Sequence, residues 1–428
     1  MNPSARLQAA IDLLDAILDE SRPADGVIAA YFRGRKFFGA KDRRAVSDQI
    51  WRILRHRARL SWALGTEQVS GRLLVAADLA QHDKKHIDAI SGLFSGSLHG
   101  PHPFAPNERR MVQQAASRDP ADAPREIKLE MPDWLTDKFD AAFGARADAE
   151  LAALQGEAPL DIRANILKTS RDAVLAELTA EKLKAAPTLL SPMGVRITGR
   201  TTLGNHDGFK DGRFEVQDEG SQLVSMLADA QAGQSVIDLC AGAGGKTLAI
   251  AAAMKNTGRI IACDVSVKRL ERAKLRLRRA GVHNATLRVL ETNDKWIKRQ
   301  GESFDRVVID APCSGTGSWR RHPDARWRFT PDALTNLTTT QDALLDQAAP
   351  LVKPGGRIVY ITCSMLPDEN QERVTAFLAR HPNFKIAPVG DVWKNVLGTT
   401  APTDKDTLTL TPASHNTDGF FVALLERA

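Results

Sequence analysis

Apolar residues recur at helical spacing through the first hundred residues. Leu7, Ile11, Leu14 and Leu18 advance in steps of three and four, and Val46, Ile50, Ile53 and Leu54 share one face in the same way. A helix with one buried face produces this period. Alternating runs are scarce here, so the pattern predicts a small all-α domain. From Gly100 to about Met131, proline, alanine and charge dominate, the composition of a linker or a loosely packed crossing. Trp134 to Leu154 reads as helix. Leu160-Asp-Ile-Arg-Ala-Asn-Ile-Leu167 alternates like a half-buried strand, and Gly194-Val-Arg-Ile197 reads likewise after another helix. The middle of the chain is thus a small α+β unit.

Beyond Phe214 the pattern changes to short apolar runs alternating with helical stretches. The runs are Ser235–Cys240, Arg259–Cys263, Ala285–Leu290, Arg306–Ile309, Arg357–Ile361 and Phe420–Leu425. Leu270, Ala273, Leu277 and Ala280 form the apolar stripe of one intervening helix. Continuous apolar strands alternating with helices predict an α/β fold with a largely parallel sheet covered on both faces. Ligands of such sheets sit outside the carboxyl ends of the strands. The expected domains are 1–130, 131–213 and 214–428.

Composition narrows the class. The 428 residues, 43% hydrophobic and 26% charged, suit two or three soluble domains. No apolar run reaches the ~20 residues of a membrane span, and Asp12 and Asp15 interrupt any signal-peptide stretch. Cys240, Cys263, Cys313 and Cys363 form no CxxC pair, so neither a zinc site nor a disulfide framework is expected, and free thiols suit a reducing cytoplasm. His82-Asp-Lys-Lys-His86 has two histidines at helical spacing, but Asp83 stands where a metalloprotease helix has glutamate, and no third ligand follows. No metal is expected. Ten Lys/Arg against two Asp/Glu lie between Arg33 and Arg59, which suggests a polyanionic partner or a solvated helix face. Phe32, just before that stretch, and Phe37, Phe38 and Trp51 within it are expected in the core.

Candidate chemistry begins at Asp238-Leu-Cys-Ala-Gly-Ala-Gly-Gly-Lys-Thr247. A phosphate-binding Walker loop needs glycine where Cys240 stands, although Arg306-Val-Val-Ile-Asp310 resembles the strand that accompanies one. The alternative is a nucleoside-binding loop, whose glycines let the backbone approach the ligand. Asp264, after the second strand, is then placed to accept two ribose hydroxyls. Thr247 replaces the third glycine of the dinucleotide pattern. S-adenosylmethionine, with no pyrophosphate to cradle, tolerates that better than NAD, and the combination favours a methyl donor over ATP.

Two further strands end in Asp310-Ala-Pro-Cys-Ser-Gly-Thr-Gly317 and Tyr360-Ile-Thr-Cys-Ser364. Cys313 and Cys363 are therefore expected to face the same crevice. Small buried cysteines are common, which suits Cys263 and partly Cys240. It does not suit two thiols flanked by Asp, Pro, Ser and Gly. A thiol beside a methyl donor suits carbon 5 of a pyrimidine: addition of a thiolate to carbon 6 makes carbon 5 nucleophilic. Asp310 could then hydrogen-bond the base edge near N3.

At these residues the sequence resembles the RNA cytosine-5 methyltransferases of the RsmB/Sun family. The resemblance runs through Phe214–Ser221, Asp238–Thr247, Asp264, Asp310–Gly317, Arg320–Asp324, Thr362–Asn370 and Asp418–Phe421. Phe37–Arg44 and the surrounding helices resemble a NusB-like RNA-binding domain, and Arg163–Lys168 is similar to the family's RNA-recognition subdomain. The resemblance implies a Rossmann-like class I S-adenosylmethionine methyltransferase domain, with Cys363 as nucleophile and Cys313 assisting release. It implies that Cys240, Ala241, Gly242, Ala243, Gly244, Gly245, Lys246, Asp264 and Asp310 contact the donor or lie beside it. The family's acid near the adenine aligns with Asn293, beside Asp294. Gly242-Ala243 replaces the family's Ala-Pro, a less pre-set loop.

Two later tracts point to nucleic acid. Lys268 to Arg279 holds seven Lys/Arg against one Glu, and Trp319 to Phe329 interleaves aromatics with arginines, as base-stacking surfaces do. The expected protein is a cytoplasmic, monomeric enzyme with RNA as partner, 16S ribosomal RNA or a small-subunit precursor. A P-loop NTPase and a catalytically silent NusB-like RNA-binding protein are the alternatives.

Overall fold

The computed structural model describes residues 1–19, 22–199, 201–291 and 294–428. They form two units, Met1–Glu157 with Trp319–Phe329, and Ala158–Ser318 with Thr330–Ala428.

The first unit is helical. The helices Pro3–Asp19 and Ala40–Arg55 bury Leu7, Ile11 and Leu14, and Val46, Ile50, Ile53 and Leu54, as their periodicity predicts. The helix Gly71–Gln81 is buried along most of its length, and its Asp78 accepts a 2.7 Å hydrogen bond from Arg52 Nε. The linker or loosely packed crossing expected from Gly100 to about Met131 contains packed helices. They are Pro106–Ser117 and Arg125–Leu129, and the segment buries Val112, Ala115 and Met131. Three-residue spacing of Val112 and Ala115 gives a narrow apolar face that the polar composition conceals.

Trp319–Phe329 belongs to this helical unit and is not the stacking surface its composition suggests. Trp319 and Arg326 are fully buried, and the guanidinium donates to the Glu130 carbonyl at 2.9 Å. Burial pushes the Arg326 pKa down to about 10. Asp324 accepts from the Ala24 backbone N–H at 3.0 Å. Of the aromatics expected in the core, Phe32 and Phe38 are buried and Trp51 packs partly, but Phe37 is 72% exposed.

The second unit holds two sheets. β1 (Leu160–Ala164), β2 (Lys184–Pro187), β3 (Gly194–Thr198) and β4 (Phe214–Val216) form an antiparallel sheet in the order β2-β3-β1-β4. β1 stops three residues short of the alternating pattern. Asn165 leaves the ladder because its side-chain amide donates to the Gly212 and Ala280 carbonyls, both at 2.8 Å. The larger sheet comprises β5 (Ser235–Asp238), β6 (Arg259–Asp264), β7 (Ala285–Val289), β8 (Phe304–Asp310), β9 (Val352–Thr362), β10 (Phe384–Ile386), β11 (Leu408–Leu410) and β12 (Phe420–Arg427). Its order is β10-β12-β9-β8-β5-β6-β7, with β11 paired to β12. β5 to β9 pair in parallel, while β12 runs antiparallel to β9. Apolar clusters cover both faces. This is the expected α/β sheet, largely parallel and covered on both faces, and it brings the carboxyl ends of β5, β6, β8 and β9 to one edge. Among the described residues, no helix is long and apolar enough to cross a membrane.

Candidate active site

The chain leaves β5 through a tight loop that needs glycine. Gly242 and Gly244 have φ of +55° and +80°, a region side chains avoid. A Cβ on Gly244 would also stand 3.2 Å from that of Ala273. The loop is pinned by its own amides: Ala241 N–H donates to the Cys263 carbonyl at 2.8 Å, and Gly242 N–H to Asp264 Oδ2 at 2.9 Å. Gly244 N–H turns back to Ala241. These amides fix the loop in shape, and the Walker reading fails at Cys240, where it needs glycine. On the other side, Arg276 donates from Nη1 to the Ala243 carbonyl at 2.8 Å while gripping Glu215. That clamp supplies the rigidity the missing proline would have given.

The loop opens onto a cavity of about 970 Å³, the upper end of small-molecule sites. Cys240, Ala241, Gly242, Ala243, Gly245, Lys246, Asp264, Asp310, Cys313 and Cys363 all line it. Gly244 turns away toward Ala273. Asn293 lies outside the described residues, and its neighbour Asp294 is committed to capping Trp296 and pairing with Arg288. Glu291 lines the cavity just beyond β7, as do Gln217 and Ser221 near the end of β4. The motifs assign no role to these three.

Charge in the cavity is arranged in pairs. Lys246 Nζ stands 2.6 Å from Asp310 Oδ2 and 5.5 Å from the centre of the Phe420 ring. Nearby, the fully buried Asp238 accepts from Thr247 Oγ1 at 2.7 Å, and burial, reinforced by the Asp310 charge, pushes its carboxyl up to about 7. Burial raises the Cys240 thiol well above its ordinary range and the Cys263 thiol to about 12, which leaves both inert.

The other two thiols differ. Cys313 Sγ and Cys363 Sγ are 3.3 Å apart, although fifty residues separate them in sequence. The parallel β8–β9 pair brings them together, since each cysteine follows the end of its strand. The hydrogen bond to Cys363 and burial hold the Cys313 thiol well above its usual range, so it keeps its proton. Their loops are locked by residues to which the motifs assign no role. Glu369, fully buried, accepts from Ser314 N–H at 2.8 Å and Gln341 Nε2 at 3.0 Å, and from the Ser314 and Ser364 hydroxyls. Asn370 bridges Thr362 and Ser364. Gly317 donates to the Cys363 carbonyl and lies against Gly419, where any Cβ would collide with backbone 2.2 Å away.

The remaining candidates resolve simply. In the helix Val267–Ala280 the predicted stripe is buried, Arg276 and Arg279 turn to Glu215, and Lys268, Arg272, Lys274 and Arg278 are exposed. His82 and His86 cap different helices and share no face. Among the described residues one histidine–acid triad lies within metal-ligating distance, Glu177, Glu181 and His206. Its His206 Nδ1 accepts from Gly208 N–H, which puts the proton on Nε2 facing Glu181, and Arg213 occupies Glu177. Glu177 is thus already paired with a guanidinium.

Comparison with known proteins places these features. A family model described as 16S rRNA methyltransferase RsmB/F matches residues 225–426, and one described as an RsmF/B-like ferredoxin-like domain matches residues 131–203. A probable ribosomal RNA small subunit methyltransferase B from Synechocystis is 36% identical over 299 residues, 69% of this chain and 67% of that protein. Its Bacillus subtilis counterpart is 33% identical over 69% of this chain and 66% of its own length. The chain thus aligns with about two thirds of the length of these relatives. The crystal structure of PH0851 superimposes with a TM-score of 0.79 at 26% identity, over 100% of this chain and 99% of that one. NSun6 from Pyrococcus horikoshii with SFG shares the fold, with a TM-score of 0.62 at 20% identity, over 69% of this chain and 98% of that one.

Proposed function

Because this chain belongs to the RsmB/F family of 16S rRNA methyltransferases, we propose that it methylates carbon 5 of a cytosine in RNA, with 16S ribosomal RNA or a small-subunit precursor as substrate. Its cofactor is S-adenosylmethionine, whose sulfonium supplies an electrophilic methyl carbon when bound. The residues fit that group: a cavity of sufficient volume, backbone approachable at Gly242, and an acid, Asp264, at the end of β6. Cys240–Lys246, Asp264 and Asp310 would hold it, with Asn293 near the adenine. Residues 1–130, as a NusB-like part, and 131–213 would bind the RNA, and residues 214–428 would carry the chemistry.

The pair of thiols 3.3 Å apart is the observation that carries the cytosine-5 reading. Methylation of an exocyclic nitrogen or a hydroxyl has no use for either sulfur. With its proton passed to solvent, the Cys363 sulfur adds as thiolate to carbon 6 of the base, and the electron pair displaced from the carbon 5–carbon 6 double bond makes carbon 5 the nucleophile. Asp310, held at Oδ2 by Lys246, keeps its other oxygen for the base edge near N3. Once carbon 5 is methylated, a base removes its proton, the carbon 5–carbon 6 double bond re-forms and the Cys363 sulfur leaves. Cys313, protonated and in contact with that sulfur, assists this release.

The test uses donor labelled in its methyl group with RNA as acceptor, followed by bisulfite sequencing. Cys363→Ala abolishes incorporation. Cys313→Ala accumulates a protein–RNA species that survives a denaturing gel. A Cys363→Ala protein that still methylates carbon 5 overturns the assignment.

A further inference from the structure

Phe37 stands apart from the other aromatics of the first unit. Phe32 and Phe38 are 7% and 4% exposed, whereas Phe37 is 72% exposed. Its ring is nonetheless held in place. Phe38, anchored in the core, stacks on it with centroids 4.8 Å apart and planes inclined by 30°, which fixes its orientation. Beside the two rings lies a cleft of about 600 Å³, lined by Gln8, Asp12, Tyr31, Arg35 and His99 among others. The Arg35 guanidinium lies 3.7 Å from the centre of the Tyr31 ring, a flat cationic surface next to the flat aromatic one. Gln8 donates to Asp12 at 2.7 Å in the same lining, so hydrogen-bonding groups face the same space.

Asp12 and Arg35 are the charged side chains in the lining, but the residues that flank Phe37 in sequence carry one dominant sign. Arg33, Arg35, Lys36, Lys41 and Arg44 are exposed. Arg33, Lys36, Lys41 and Arg44 have no acidic partner among the described residues. The one acid within residues 33–44, Asp42, already faces Arg6 at 3.8 Å. Phe37 and Met1, 72% and 44% exposed, are the exposed large apolar side chains that line this cleft, a small apolar area beside the cations. An oriented, exposed ring flanked in sequence by unpaired cations matches a flat anion-bearing ligand: an unpaired nucleobase with its flanking phosphates.

We propose that this cleft is a stacking site for one base of single-stranded RNA, with Phe37 as the platform and Arg33, Lys36, Lys41 and Arg44 holding the phosphates on either side. The proposal rests on RNA being the substrate and adds a second point of contact on it, in the helical unit. A duplex would present no free base face, so the site selects unpaired RNA.

The experiment measures fluorescence anisotropy of the full chain with a labelled single-stranded RNA of mixed sequence and with its duplex, over a salt series. Phe37→Ala weakens single-strand binding about tenfold to a hundredfold, the range for removal of one stacked base, and leaves the salt slope unchanged. Phe37→Trp restores affinity. Lys36→Ala with Lys41→Ala instead lowers the salt slope, by about one for each phosphate that is no longer neutralised. Melting curves of each variant match the parent, because the altered side chains are exposed. Unchanged affinity in Phe37→Ala overturns the proposal, as does a Phe37→Ala defect seen only with ribosomal particles and not with naked RNA. If methyl transfer to RNA is present while these results fail, the stacking site alone is wrong. If no RNA accepts methyl groups, the functional reading itself fails.

Discussion

Glu369 offers the sharpest test of how the site is held. Its Oε1 receives the Ser314 backbone N–H and the Gln341 amide, and its Oε2 receives two hydroxyls that are free to rotate. Glu369→Ala removes an acceptor from two donors that cannot redirect fully, since Gln341 retains the Pro312 carbonyl but Ser314 N–H retains nothing. At about 1–3 kcal/mol for each buried group left unsatisfied, plus the cavity, the destabilisation is on the order of 3–5 kcal/mol. For a unit of this size that is on the order of 10 °C in melting temperature. The Cys313 loop then loses its tie to the Cys363 loop, and misplacement of about 1 Å costs roughly a hundredfold in rate. Glu369→Gln behaves differently. Its amide oxygen replaces Oε1, its NH₂ meets hydroxyls that can turn to accept, and stability and rate stay within a few-fold. Removing the charge also relieves one cause of the raised Cys313 pKa. Alkylation of Cys313 in the Gln variant therefore begins at lower pH. Single-turnover methylation, melting and pH-resolved alkylation read all three effects. An Ala variant with parental rate and melting temperature, or a Gln variant as damaged as Ala, would refute this account of the network.

Two other perturbations follow from the donor loop. Arg276→Ala removes the hydrogen bond to the Ala243 carbonyl and weakens donor binding about tenfold by calorimetry, consistent with one charge-assisted bond; Arg276→Lys recovers part of it, and an unchanged dissociation constant would refute the clamp. Asp238 keeps its proton in the folded protein up to about pH 7, while in the unfolded chain it ionises near 4. Its contribution is therefore fully present below about pH 4 and declines as pH rises toward 7, by at most about 4 kcal/mol. Asp238→Asn, compared with the parent in melting curves from about pH 4.5 to 8.5, gains relative stability up to about pH 7 and levels off above it; a constant difference between the two proteins across the whole range would contradict the raised pKa.

How much of this was legible in the sequence depends on where the determining contacts lie. β5, β6, β8 and β9 carry apolar cores because both faces are covered, and a continuous apolar run bounded by glycine is readable locally. The stripe of the helix Val267–Ala280 is readable for the same reason. β2, β10 and β11 have only three or four residues each and little apolar patterning, so their pairing is a tertiary fact. Trp319–Phe329 misleads most. Arginines among aromatics look alike whether they face a base or a carbonyl, and the partners that decide, Ala24 and Glu130, lie about two to three hundred residues away. Phe37 misleads in the opposite sense, exposed where its neighbours are buried. At the site, motif spacing identified residues that line the cavity. It gave no role to Glu369, Gln341 and Arg276, which act through hydrogen bonds to other loops.

The contact between the Cys313 and Cys363 sulfurs also ties the protein to its surroundings. A two-electron oxidant such as hydrogen peroxide can take one proton and one electron from each and leave them joined, itself reduced to water. Both roles proposed for these residues would vanish in that single event, and a thiol reductant would return both together. Turnover then demands an environment that keeps this neighbouring pair reduced, a demand set by the adjacency of β8 and β9 as much as by the chemistry of methylation.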